Sequence, residues 1–181
     1  MKTQNIENYL NSFANNVVKD SERLLYSQKG NTALGQSIRA KVEKDPNGFS
    51  VKFYMADYGT FLDKGVSGNK VKRSFTNIKH TKESSPYSYK TKGPPIDILS
   101  KWIKKKGIKG HGIAKGRSKN TGQYISGFAY LISKKIKRDG IPSLSFFQKP
   151  LGLWYDKLQD DFLKEFKKDI TSYITTFTKH K

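Results

Sequence analysis

The feature that constrains the fold most is a pair of alternating stretches on either side of a turn signal. SIRAKVEK (37–44) and FSVKFYMA (49–56) both place an apolar residue at every second position, and DPNG (45–48) separates them. Alternation with a period of two is typical of a strand that buries one face, and a Pro/Asn/Gly turn between two such strands predicts a hairpin. The residues expected on the buried face of the second strand are Phe49, Val51, Phe53 and Met55.

Long helical patterns lie on both sides of this hairpin. Apolar residues recur every three or four positions between Ile6 and Leu25, which predicts a helix from about Asn5 to Gln28. A second such stripe predicts a helix from about Pro150 towards the C-terminus. A two-stranded ribbon is marginal alone and needs a cover for its apolar face. We therefore expect a single α+β domain over residues 1–181, with an antiparallel hairpin-based sheet packed against N-terminal and C-terminal helices, and with long basic loops.

Two segments are expected to be long exposed loops, at about residues 65–93 and 107–122, and the first has room for a short strand. Both are rich in glycine, lysine and small polar residues and have little apolar periodicity. Between them, Pro94-Pro95 opens a helix that Gly107 ends, since proline is tolerated in a first helical turn. Its expected apolar stripe is Ile96, Leu99, Trp102 and Ile103.

A further helix is expected after the second loop. Thr121 can cap it, the apolar stripe runs from Tyr124 to Ile136, and Asp139-Gly140 ends it. Phe146 and Phe147, which precede the last helix, are expected to pack in the core beneath it.

The net charge of +20 is concentrated in the middle of the chain. From Lys64 to Lys119 there are sixteen Lys or Arg residues against Glu83 and Asp97, which is +14 of the +20. Such an excess faces an anionic or acidic partner, unless it is a solvated surface. The densest part is the expected partner-facing or DNA-facing basic patch: Lys101, Lys104, Lys105, Lys106, Lys109, Lys115, Arg117 and Lys119.

Known catalytic and cofactor patterns do not fit. Gly107, Gly110, Gly112 and Gly116 have neither the P-loop spacing nor the dinucleotide-binding spacing, and a predicted helix, not a strand, precedes them. The three histidines are isolated, and no Ser/His/Asp set can be identified from spacing. We therefore expect a non-enzymatic protein with no catalytic, cofactor-binding or metal-binding residues.

The compartment is constrained by two further features. The chain has no cysteine, so disulfides and thiolate metal sites are not available to it. No apolar run approaches the roughly 20 residues that span a bilayer, and the N-terminus lacks the core of a signal peptide. We expect a protein made or assembled in a cytoplasm, without a membrane partner.

The order of these elements resembles the tail-completion, or head-to-tail joining, proteins of tailed bacteriophages. In that family an N-terminal helix precedes a strand entry, a hairpin and a turn of the type YAxYxEFGT. Here TALGQSI (32–38) resembles the entry and YMADYGTFLDKG (54–65) resembles the turn. The segment RDGIP (138–142) followed by FFQKPL (146–151) is similar to the family's GIPxRPFLRPAL before its last helix, although SLS (143–145) replaces the usual arginine.

The resemblance implies a structural virion protein that forms a homo-oligomeric ring in the head-tail connector (neck) or upper tail, around the DNA ejection channel. It would be assembled in the host cytoplasm and would contact portal, adaptor or tail proteins, with nonspecific contact to packaged DNA as a further expectation. The alternative from the residues alone is a basic, sequence-nonspecific nucleic-acid-binding protein. For that alternative, Tyr87, Tyr89 and Tyr124 are candidates for stacking on bases.

Overall fold

The computed structural model describes residues 3–46, 48–108, 115–117 and 124–179, with the backbone only for 115–117, 124–126 and 177–179. Its helices are α1 (Gln4–Lys29), α2 (Ala33–Ser37), α3 (Gly59–Lys64), α4 (Ile96–Lys105), α5 (Gly127–Asp139) and α6 (Gln148–Lys179). Its strands are β1 (Arg39–Asp45), β2 (Gly48–Tyr54), β3 (Ser74–Thr76), β4 (Lys82–Ser84), β5 (Lys115–Arg117) and β6 (Tyr124–Ser126). The strands form three two-stranded sheets, β1-β2, β3-β4 and β5-β6.

The chain divides into two compact units. The first contains residues 1–63, 76–82 and 144–181, and the second contains residues 64–75 and 83–143. The expectation of a single domain stays a prediction.

The first unit is the α+β arrangement predicted from the sequence. The β1-β2 hairpin is antiparallel, with Val42 opposite Val51, and it lies against α1, which also packs along α6. Partly buried residues of β2 and α6 pack against a core of seven buried side chains: Phe13, Val17, Leu25, Leu34, Ile38, Phe146 and Phe147. The predicted fold class is thus confirmed, as is the core position of the two phenylalanines before α6.

The register of the hairpin is also as predicted. Val51, Phe53 and Met55 pack against the core, and the Phe53 ring lies edge-on to Phe13 of α1 at 6.4 Å between ring centroids. Phe49, at the far end of β2, is only half-buried and lies beside Lys44, whose Nζ is 5.7 Å from the ring centroid.

Two buried carboxylates accept hydrogen bonds at the N-terminal ends of the two long helices of the first unit. Asp63 accepts hydrogen bonds from the backbone N–H of Phe147, at 2.8 Å, and of Gln148 at the start of α6. Asp169 of α6 accepts from the backbone N–H groups of Asn5 and Ile6 in the first turn of α1, at 3.2 and 3.1 Å. These amides lack intrahelical partners, and the helix dipole favours a negative charge beside them.

The second unit differs from the sequence prediction in three places, and the first is that β5 (Lys115–Arg117) lies within the segment 107–122 that is expected to be a loop. Within the segment expected to be a long exposed loop, residues 65–68 are buried, and backbone hydrogen bonds pair Val66 with Ile141. Gly140 has a φ of 73° and no room for a Cβ beside the Val66 carbonyl, so glycine is required there.

The predicted start of the fifth helix is wrong. Tyr124 and Ile125 belong to β6, which pairs with β5, and α5 begins only at Gly127. Thr121, the expected cap, lies outside the described residues. The end of α5 at Asp139, before Gly140, is as predicted. Among the helices described, none combines the length and apolar character that a membrane-spanning helix requires.

Candidate interaction surface

Helix α4 carries the described part of the basic patch, and its boundaries follow from the local sequence. Pro95 precedes the first residue, and Asp97 lies in the first turn, where a carboxylate complements the helix dipole. Lys104 and Lys105 lie in the last turn, where cations are favoured for the same reason. Gly107, with a φ of 65°, then ends the helix. Part of the lysine clustering thus has a local structural cause.

One side of α4 combines positive charge with exposed apolar surface. Ile98, Lys101, Trp102 and Lys105 follow at i, i+3, i+4 and i+7, so they share a helix face. Ile98 is 59% exposed and Trp102 is 45% exposed, whereas Ile103 on the other side is buried. We call these four residues the α4 face. It offers an aromatic ring and an aliphatic side chain between two exposed ammonium groups.

The structure places half of the predicted basic patch together. Lys101, Lys104, Lys105 and Lys106 are all exposed on α4 or at its C-cap. Lys115 and Arg117 belong to β5, of which the backbone alone is described. Lys109 and Lys119 lie outside the described residues.

Of the tyrosines proposed for stacking, Tyr87 and Tyr89 are not the most exposed aromatic residues among those described in the second unit. Tyr87 and Tyr89 are half-buried, and their backbones pair with that of Ser67. Burial raises the pKa of the Tyr89 phenol above its usual value. The Tyr124 side chain is outside the described part.

Trp102 and Tyr130 present more of their rings to solvent, and Lys134 Nζ lies 4.8 Å from the centroid of the Tyr130 ring. Sequence reasoning assigned Trp102 to the apolar stripe of its helix and so missed its exposure. Trp102 follows Ile98 by four residues and has lysines close to it in the sequence. This pattern is the signal that could have indicated that Trp102 is exposed.

The function of the α4 face has to be inferred from the chemistry of its side chains. Comparison with protein-family models, with curated proteins and with solved structures finds no match to this chain. Among the described residues, no group of three or more His, Asp or Glu side chains is arranged to hold a metal ion. What the α4 face can do is bind a partner through apolar contact and charge.

One histidine has a carboxylate partner that the sequence did not reveal. In the first unit, His80 Nε2 lies 2.8 Å from Asp156 Oδ2 of α6. The two residues are 76 positions apart, so spacing could not predict the pair, and both side chains are largely exposed. The pair connects the β3-β4 turn to α6.

The first unit also contains a cavity of about 490 Å³, which no pattern in the sequence indicated. It lies where α1 ends and α2 begins, and its charged lining comes from Lys19, Glu22 and Arg23. Lys19 and Arg23 are exposed side chains. The charged side of the cavity is therefore exposed to solvent and carries charges of both signs. Its lining does not bring buried polar groups together around one point.

Proposed function

We propose that the chain is a non-enzymatic structural protein of a tailed bacteriophage, which forms a ring in the neck or upper tail around the DNA channel. The resemblance in the order of sequence motifs supports this proposal. So does the first unit, in which a hairpin lies between an N-terminal and a C-terminal helix, the arrangement that the resemblance implies.

The observation that carries the proposal is the α4 face. Tryptophan is one of the residues that contribute most to protein interfaces, particularly when apolar neighbours and charges surround it. A neighbouring virion protein with an acidic, partly apolar surface would cover Ile98 and Trp102 and would pair with Lys101 and Lys105. Charge of one sign on this scale also steers association with an acidic partner.

Charge reversal on α4 tests the proposal. The variant that changes Lys101, Lys104, Lys105 and Lys106 to Glu alters exposed side chains and removes two favourable cations from the last turn of α4, at a cost of about 1 kcal/mol. The chain should still fold, which its circular dichroism spectrum checks. In a phage whose own copy of the gene is inactivated, this variant should fail to complement, and heads without joined tails should accumulate.

A matched control separates the α4 face from net charge. Lys70, Lys72, Lys90 and Lys92 are exposed residues of the same unit, and their change to Glu alters the charge by the same amount. This control should still yield joined particles. Normal particle yield from the α4 variant would contradict the proposal.

The second candidate function is sequence-nonspecific nucleic-acid binding. The observation in its favour is the exposed Trp102 ring beside lysines, since bases stack on aromatic side chains while cations bind phosphates. The two functions differ in salt dependence. A nucleic-acid-binding protein should bind DNA as the isolated chain and lose affinity steeply with salt, whereas the ring protein should bind DNA weakly.

A further inference from the structure

Between residues 155 and 173, α6 carries a second exposed apolar surface, in the first unit. Its residues share one side of the helix because they are separated by three, four or seven positions. They are Tyr155, Phe162, Leu163, Phe166, Ile170 and Tyr173, which we call the α6 stripe. Tyr155 is 59% exposed, Leu163 is 49% exposed and Phe166 is 39% exposed.

The stripe is not the side of α6 that packs on α1. The α1 side is marked by Trp154, whose Nε1 donates to Asp20 at 2.9 Å, by Leu158 in the core cluster, and by Asp169 at the start of α1. The stripe is turned by about 100° from that side. Four of its side chains, Tyr155, Leu163, Phe166 and Tyr173, are therefore exposed after the first unit has packed its core, whereas Phe162 and Ile170 are half-buried.

The charges beside the stripe favour a second copy of the same chain as the partner. Asp160 and Lys167 are both exposed and lie along the same edge of the stripe, away from α1. In an antiparallel helix pair related by a two-fold axis, the same edges of the two helices meet. An axis between Leu163 and Lys164 places each Asp160 opposite Lys167 of the second copy.

The same axis also matches the apolar residues. It brings Phe162 to within one residue, or about 1.5 Å along the pair, of Phe166 of the second copy, and Tyr155 equally close to Tyr173, so aromatic rings meet on both sides of Leu163. In a parallel pair related by a two-fold axis, opposite edges of the two stripes meet. The edge that carries Asp160 and Lys167 would then lie beside the edge nearer α1 in the second copy, so Asp160 and Lys167 would not pair.

The overall charge does not oppose this contact strongly. From Leu151 to Lys181 the chain has six Lys and five Asp or Glu residues, so α6 lies in a nearly neutral part of a chain with a net charge of +20. Most of the basic excess lies between residues 64 and 119.

We propose that two copies of this chain associate through an antiparallel α6–α6 contact centred on Leu163. This proposal goes beyond the proposed function. A two-fold contact joins two chains, or two rings, as a pair, whereas a closed ring is built from head-to-tail contacts between neighbours.

Cysteine crosslinking of the full chain tests the geometry, and the absence of native cysteine makes each introduced thiol unique. Leu163→Cys lies next to the axis and should form a disulfide with its own copy under mild oxidation. Tyr155→Cys alone should not, because its two copies are on the order of 25 Å apart along the pair. A mixture of Tyr155→Cys and Tyr173→Cys chains should crosslink to each other.

Charge exchange tests the register by sedimentation. Asp160→Lys should weaken dimerisation about ten-fold, because two attractive pairs become repulsive. The double variant Asp160→Lys, Lys167→Asp should restore it. A wild-type chain that is monomeric at every concentration, or Tyr155→Cys that self-crosslinks as well as Leu163→Cys, would overturn the proposal. Crosslinking reports the contact and not ring formation, so its outcome is independent of whether the ring proposal holds.

Discussion

Phe53 is the hairpin side chain that contacts both α1 and the residue just before α6. Its ring is edge-on to Phe13 of α1 and to Phe147, which immediately precedes α6, the latter at 5.3 Å between centroids. Phe53→Ala should lower the free energy of unfolding by about 3 kcal/mol, the lower end of the range for such a truncation, because Phe53 is not completely buried. Tyr54→Ala, on the exposed face of the same strand, should change it by less than about 1 kcal/mol. Urea unfolding of the two variants measures both effects, and equal losses would contradict the assigned register.

The helix ends depend on carboxylates that come from distant parts of the chain. Asp63→Ala leaves the amides of Phe147 and Gln148 without their acceptor, and Asp169→Ala does the same to Asn5 and Ile6. Each change should lower the free energy of unfolding by about 2 kcal/mol, the usual range for losing a cap and a charged hydrogen bond.

Replacement by Asn separates charge from geometry, because Asn keeps one acceptor oxygen. Asp63→Asn and Asp169→Asn should each have about half the effect of the Ala variant. Asp57→Ala, at an exposed position, should leave stability within about 0.5 kcal/mol. Thermal unfolding of the five variants checks the order, and a loss at Asp57 as large as at Asp63 would argue against a specific role for the caps.

Elements whose pattern is local were predictable from the sequence, and elements that depend on distant pairing were not. The alternation at 37–44 and 49–56 and the stripes of α1 and α6 indicated both the hairpin and the helices that cover it. The spacing of Tyr124, Ile125 and Phe128 fits a helix equally well, and only pairing with β5 makes the first two a strand.

The partners of Asp63 and of His80 were beyond sequence reasoning for the same reason. They lie 84 and 76 positions away along the chain. For the candidate site, composition placed the lysines of α4 correctly on the surface, but the exposure of Trp102 depends on how α4 packs within its unit.

In the whole molecule, the two units carry different kinds of exposed surface. The second unit has the α4 face, which is basic and suits an acidic neighbour, while the first unit has the α6 stripe, which is apolar and nearly neutral. A protein with two such surfaces can make two different contacts at once, one with an unlike acidic neighbour and one with a second copy of itself. The ring proposed for the neck or upper tail depends on the first of these contacts and not on the second.

The position of the chain in a purified phage particle tests the proposed function most directly. A C-terminal tag on the chain, labelled with gold and imaged by electron microscopy, should mark the joint between head and tail, and averaged images should contain a closed ring of density around the channel at that level. Particles that carry no label anywhere, with the tagged chain recovered instead on nucleic acid in the infected cell, would contradict the ring and favour the nucleic-acid-binding alternative.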